Sequence, residues 1–543
     1  MMRDNIKNTV EEQELQGGAD KLINFRPVLF CTIFLGIGIG FWHAVKTEGA
    51  YWFFLIPLLI AVVSLCIYRT KRTLYAIAAL TAAFLIGMGG FAFQTARFTV
   101  GKGYDGEFVC TGRVVEIAKS DERFSVLIDG IFIDGNSERG KLVAYLPASF
   151  ADKVELSDTL LLRGRVQSNY RLFSENGFRA YALENNIRFY AYAEDCAVTG
   201  NEFDLFLFIR SRIENRIKAG MDETPASVML ATLTGNTTFI DEGLLENVRR
   251  GGIAHIFAVS GLHVGALFGF LLLLVRKTPL RKASKATRFF LLAGMLLFYG
   301  GVCGFSPSIL RAIVTCLALY GAKLIGIGTD FIENISFAAI IVLLLSPVSL
   351  FHIGFQLSFA ACYGIAFLSR PIRVGCYKLA DKIVKPQENA EDHPQGLRRL
   401  AFQNAVSFLS VTLSAQLATL PLLIRSFGYA SVWSLLLNCF AVPLISALFP
   451  LLLSAVVLST VLPLAASTVL LYIPNLIWSA LLLVFQVFDF SVVAIEGFEV
   501  LPVSLLAYYL ALSFLSDKWN FSKRARGLYF ALFAVTFFTV GMV

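Results

Sequence analysis

The chain has 543 residues, of which 56% are hydrophobic and only 16% charged, with a mean hydropathy of +0.67. That is more apolar surface than one or two aqueous cores can bury, which excludes an ordinary soluble protein and points to a polytopic α-helical membrane protein. The net charge of +8 is no nucleic-acid footprint, because membrane proteins collect Lys and Arg in their cytoplasmic loops.

Residues 1–26 mix acidic and basic side chains and are too long and too acidic for the n-region of a cleavable signal, so they read as a cytoplasmic tail before a retained first span. Apolar runs beginning near Pro27, Tyr51 and Thr73 predict three N-terminal helices within 27–96. The next stretch is polar. Within 97–200, the runs EFVCTGRVVEIA, RFSVLIDGIFID, KLVAYLPA, TLLLRGRVQ and RFYAYAED are rich in β-formers and bounded by Gly, Asp, Asn and Ser. About five such strands suit an inserted small β-barrel of the OB type. Residues 201–253 read as an amphipathic helical approach segment.

Apolar runs resume near Ala254, Arg288, Pro307, Phe331, Val348, Gln403, Ser431, Leu464, Val500 and Gly527, and 254–543 forms the main transmembrane domain. The total is about 13 spans. Between Ser431 and Val461, Pro443 and Pro450 either kink one long helix or break it into a re-entrant piece. Basic clusters at Arg69–Arg72, Arg276–Arg288, Arg370–Arg399 and Lys518–Arg526 all fall on one side when the N-terminus is inside, as the positive-inside rule requires. The β domain then faces away from the cytosol.

Acidic residues outnumber basic ones across the β domain, but its later part gathers Arg163, Arg165 and Arg171 with Tyr170 and other aromatics. Arginines interleaved with aromatic rings suit weak, salt-sensitive single-stranded nucleic-acid binding, and a solvated barrel rim explains them equally well. Cys110 and Cys196 lie in the first and last strand runs, outside the cytosol, where a disulfide is expected to tie the domain's ends. No C-x-x-C, H-x-H, H-E-x-x-H or phosphate-loop pattern is present, so neither metal nor cofactor is expected and energy must come from elsewhere.

The stretch AHIFAVSGLHVGALFGF sets His255, Ser260 and His263 at the start of an apolar helix, with the histidines about 80° apart around it. Gly261, Gly265 and Gly269 form a small-residue face for close helix packing. Further on come Arg311, His352, Gln356, Ser358, Gln416, Pro421, Asn438 and Pro443. Singly, each suits a packed polar contact between helices. Together they look like the lining of a wet conduit.

The runs GNTTFIDEGLLENVRRGGIAHIFAVSGLHVG, SPSILRA, SPVSLFHIGFQLSFAACYG, SAQLATLPL and NCFAVPL, in that order, resemble the competence region of ComEC-type DNA uptake proteins. The three spans and small β domain upstream resemble that family's N-terminal part. The resemblance implies a channel in the bacterial cytoplasmic (inner) membrane that passes single-stranded DNA inward during natural transformation. It implies partners as well: an extracytoplasmic DNA receptor, a cytosolic ATPase and a separate nuclease, since the H-x-H-x-D-H hydrolase signature of many relatives is lacking here. Self-association into a homo-oligomer and contact with membrane lipid complete the expected partners. Two rival readings are an intramembrane serine hydrolase using Ser260 and His263, and a transporter of a small solute or lipid.

Overall fold

A computed structural model describes residues 26–48, 71–99, 105–383 and 395–541, apart from short stretches at 121–122, 151–152, 169–172, 175–176, 179, 238, 258, 327–329, 432, 488–491, 495–499 and 517–521. The span expected from Tyr51, and both Tyr170 and Arg171, lie outside the described residues.

Two N-terminal helices, α1 (Pro27–Glu48) and α2 (Lys71–Thr99), pack together through glycine. A Cβ at Gly38 would run into the carbonyl of Phe84, and one at Gly87 into the carbonyl of Leu35, so each backbone sits in the gap left by the other's missing side chain. In lipid, where apolar burial gives no net drive between helices, such close approach is a main source of association.

All five β runs form strands: β1 (Asp105–Ser120), β2 (Arg123–Ile133), β3 (Lys141–Leu146), β4 (Asp158–Ser168) and β5 (Ile187–Asn201). β1 pairs with both β2 and β4, β2 with β3, β3 with β5, and β5 with β4; only the β3–β5 pair is parallel. Leu142, Ala144 and Leu146 alternate with more exposed neighbours along β3 and point into a core shared with Phe108, Ile128 and Leu160. Period-two burial of this kind fixes the register.

The expected Cys110–Cys196 bridge is not formed; both are free thiols. Cys110 pairs across β1–β4 with Leu162, and Leu162 pairs across β4–β5 with Cys196, so a whole strand lies between them. Two strand spacings are roughly 9–10 Å, beyond the reach of a disulfide of about 7 Å between Cα atoms. Burial, aided by nearby Asp134, pushes the Cys110 thiol up to about 12, and burial with Asp195 and Asp158 pushes Cys196 to about 11.

Beyond the β domain come α3 (Leu205–Gly220), α4 (Glu223–Thr234) and α5 (Glu242–Arg250). The approach segment is not uniformly amphipathic. α4 is buried on every face from Pro225 to Thr234 and belongs to the interior of the bundle. The remaining helices are α6 (Gly261–Lys277), α7 (Lys285–Val302), α8 (Pro307–Ile325), α9 (Phe331–Leu345), α10 (Ile353–Ile383), α11 (Gln395–Phe427), α12 (Ser434–Val461), α13 (Leu464–Val487), α14 (Pro502–Leu515) and α15 (Lys523–Gly541). Pro443 and Pro450 both lie inside one continuous α12.

Seven helices among the described residues are long and apolar enough to cross a membrane. α13 shows why the surrounding solvent is lipid. Leu471, Trp478, Leu482 and Phe485 are buried in the bundle core, while Val469, Tyr472, Ile473, Leu476 and Leu483 form an exposed apolar stripe at helical spacing. A helix apolar on both its inner and outer faces suits a bilayer and not water.

Candidate functional site

The chain reaches α6 through a tight turn. Gly252 takes φ +72°, and a Cβ there would collide with Ser434 at the start of α12. The Asn438 side-chain amide donates to the Gly252 carbonyl at 3.4 Å, so this turn is pinned to α12. His255 then lies exposed in a single 3₁₀ turn, Ala254–Ile256, followed by non-helical backbone.

His255 and His263 therefore do not share a helix, contrary to the sequence expectation. The helix begins only at Gly261 because Ser260, in extended conformation, caps it. Ser260 Oγ accepts the His263 N–H at 3.4 Å, and His263 Nδ1 accepts the Ser260 N–H at 3.2 Å. This reciprocal box satisfies helix N-terminal donors that have no intrahelical partner. The serine and histidine are brought together, but through each other's backbone: Nδ1 is committed to an amide and not to the hydroxyl, an arrangement that does not activate a nucleophile. The His263 ring is 2% exposed and stacks on Phe449 of α12, with centroids 4.7 Å apart and planes at 12°.

The glycine face also differs from expectation. Gly261 meets Ala312 of α8 at ordinary contact distance, whereas a Cβ at Gly265 or Gly269 would meet nothing within 4 Å. Among the described residues only the first turn of the stripe is a packing seam, and the other two glycines face open space.

A second polar cluster surrounds Arg311 on α8, which is 5% exposed. Its guanidinium donates to the Gly354 carbonyl at 3.0 Å and to Ser308 Oγ at 3.3 Å, and lies over the Phe359 ring at 5.3 Å. His352 Nδ1 accepts the Gly354 N–H at 3.2 Å, and Gln356 donates to the Leu350 carbonyl at 2.9 Å. Ser358 is half-buried on α10.

The acidic partner of this cluster is Glu184, which sequence reading missed. It ends a one-turn helix, Ala180–Glu184, just before β5. Glu184 Oε1 accepts from Ser349 Oγ at 3.0 Å, Oε2 lies 3.5 Å from His352 Nε2, and the carboxylate is close enough to Arg311 for their charges to interact. Nearby, Gln94 of α2 accepts the Val348 N–H at 3.0 Å, and Arg188 of β5 lies over the Phe98 ring. The β domain is thus docked on the turn between α9 and α10 by a buried carboxylate.

On α11, Pro421 lacks the N–H that would bond the Leu417 carbonyl. Tyr508 of α14 supplies the missing donor at 2.6 Å, and Tyr509 donates to Ala418 at 2.9 Å. Gln416 Nε2 and Asn438 Oδ1 are buried with no hydrogen-bond partner among the described residues. Another network outside the expected set joins α3 to the GNTT motif: Glu214 accepts from Arg210 at 3.3 Å and from Asn236 at 3.0 Å, all three buried.

On the β domain, Arg163 and Arg165 are exposed on β4. Arg165 stands opposite Tyr192 of β5, whose ring stacks on Tyr145 of β3 at 5.2 Å and 18°. Acids flank this strip, Glu107 opposite Arg165 and Asp195 opposite Arg163.

Fold and site define a multi-pass helical membrane protein with an inserted β domain and several buried polar networks. The Competence protein family matches residues 232–521, more than half of the chain and the region holding α6, Arg311, Gln356, Gln416 and Asn438. The chain belongs to that family and is a ComEC-type competence protein. It is similar to ComE operon protein 3 of Bacillus subtilis, 26% identical over 250 residues that cover 46% of this chain and 28% of the relative. It is also 30% identical over 128 residues to the uncharacterized protein MG316 of Mycoplasma genitalium, covering 23% of this chain and 32% of that protein. The MG316 homolog of Mycoplasma pneumoniae is 33% identical over 125 residues, 22% of this chain and 30% of the relative. The matched segments span about a third or less of these relatives' length. No solved structure matches the chain.

Proposed function

We propose that the chain is a channel of the bacterial inner membrane through which single-stranded DNA is taken up in natural transformation. The observation that carries this reading is the Competence family match over 232–521, which encloses most of the polar side chains buried in the bundle, His263, Arg311 and Asn438 among them. A strand with a phosphate on every nucleotide cannot cross hydrocarbon, so it needs a path lined with donors. The buried Gln416 amide, which lacks a partner among the described residues, and the open faces at Gly265 and Gly269 are consistent with such a path. About 13 spans in all, with the β domain outside, agree with the distribution of Lys and Arg.

The strand pairings, with β1 bonded to both β2 and β4, support a closed barrel of the OB type. Arg165, Tyr192 and Tyr145 form its candidate strand-binding strip, combining one cation with stacking surface. An outer receptor would deliver DNA, a separate nuclease would remove the other strand, and a cytosolic ATPase would pull. The serine hydrolase reading is weaker, because the cap uses the groups that it requires. Deleting the chain in its host and measuring transformation frequency tests the proposal: loss of transformation, restored by the intact chain, is expected, and unchanged transformation overturns it.

A further inference from the structure

A groove of about 770 Å³ runs between α3, α6, α7 and α12, a size typical of small-molecule sites. Its walls are apolar, with Leu267, Leu271, Phe290, Phe298, Leu453 and Val457 among them. Gly294 of α7 also lines it, and a Cβ there would meet nothing within 4 Å among the described residues. Arg212 of α3 borders this groove and also a second hollow of about 380 Å³, lined by Ser211, Asn215 and Arg216. One end of the combined space is therefore basic and hydrogen-bonding, and the rest is hydrocarbon-like.

The basic end has no counter-charge among the described residues. Arg212 Nε donates to the Thr460 carbonyl at 3.3 Å, and among the described residues no carboxylate lies within ion-pair distance of Arg212 or Arg216. The surface beside them is apolar: Phe208, Val461 and Leu464 are exposed. Two arginines on a lipid-facing apolar surface call for an anion, and a phosphodiester suits the guanidinium fork.

We propose that this is a binding site for an anionic phospholipid, its phosphate held by Arg212 and Arg216 and one acyl chain lying in the groove. A polynucleotide fits it poorly, since beyond Arg212 the groove's donors are the hydroxyls of Thr234, Tyr299 and Thr460, each already donating to a backbone carbonyl and so not free for successive phosphates. The site lies on faces that the proposed DNA path does not use: Leu267 and Leu271 line the groove, whereas Gly265 and Gly269 lie on another face of α6.

The test is native mass spectrometry of the full chain in detergent, titrated with phosphatidylglycerol or with phosphatidylcholine of the same acyl chains. The wild type is expected to retain phosphatidylglycerol at least about tenfold more tightly than phosphatidylcholine. The double variant Arg212→Gln with Arg216→Gln is expected to lose that preference. Gly294→Leu, which fills the groove without changing charge, is expected to lose retention of both lipids, and equal thermal midpoints among the variants establish that all are folded. Equal retention of the two lipids overturns the proposal, as does undiminished preference in the double variant. Displacement of the lipid by inorganic phosphate or by a short oligonucleotide also overturns it, by making the site one for a free anion or for nucleic acid.

Discussion

Replacing His263 with alanine removes two things that the structure makes visible. One is the hydrogen bond from the Ser260 N–H to Nδ1, worth about 0.5–1.5 kcal/mol net. The other is the ring stacked on Phe449, worth about 0.5–1.5 kcal/mol beyond area burial. These two terms together give about 1–3 kcal/mol, concentrated at the start of α6, and the lost burial of the ring adds to them. Glutamine is a natural partner in a capping box, so His263→Gln keeps the hydrogen bond, loses only the ring and falls between wild type and alanine. Ser260→Ala costs about 1 kcal/mol, while Ser260→Asp, an equally good cap, restores it. Thermal unfolding in detergent and hydrogen exchange at residues 261–264 read these differences, and DNA uptake at matched expression reads their consequence. If glutamine is no better than alanine, or Ser260→Asp is as damaging as Ser260→Ala in both assays, the capping account is wrong and a chemical role for the serine returns.

Tyr508→Phe leaves the Leu417 carbonyl without its donor and is expected to cost about 1–3 kcal/mol, whereas Pro421→Ala in the same background restores an intrahelical donor and recovers part of the loss in thermal unfolding. With thiols pushed up to about 12 and about 11, Cys110 and Cys196 should react slowly with maleimide in the folded protein at neutral pH and quickly after unfolding, with no mobility shift on reduction. Because the folded thiols hold their protons above the ordinary value of 9.0, their contribution to stability is intact below that pH and declines as pH rises from there toward 12. A pH-unfolding series on the wild type and on Cys110→Ala checks this. Replacing Arg165 by Gln and Tyr192 by Ala together should abolish weak binding of single-stranded DNA to the full chain, and the wild-type binding should fall steeply with salt; electrophoretic mobility or anisotropy titrations at two salt concentrations measure it.

The strands were legible because period-two alternation in runs such as KLVAYLPA leaves little freedom of register. Most helices were legible as long apolar runs, and α12 resolved its own ambiguity by tolerating two prolines in one helix. The start of α6 was misread because Ser260 lies within an apolar run, and its box partner is a histidine instead of the Glu or Gln that marks the motif. The disulfide failed for a topological reason: spacing along the chain does not reveal that β4 inserts between β1 and β5. Glu184 carried no local signal at all, since its meaning depends on Ser349 and His352, far away in sequence. The mutual glycine contact of α1 and α2 was detectable as small residues in both helices, but not as the pair Gly38 and Gly87.

The claim that DNA passes through this bundle is tested most directly by trapping the strand inside it. A photo-crosslinking residue placed at Gly265, where a new side chain meets open space, or at Gln416 on α11 is exposed to light in cells taking up labelled DNA. The same residue at Leu476, on the exposed apolar stripe of α13, is the control. The account predicts single-stranded DNA adducts at Gly265 or Gln416 and none at Leu476; adducts to lipid alone at all three positions, in cells that still internalise DNA, would contradict it.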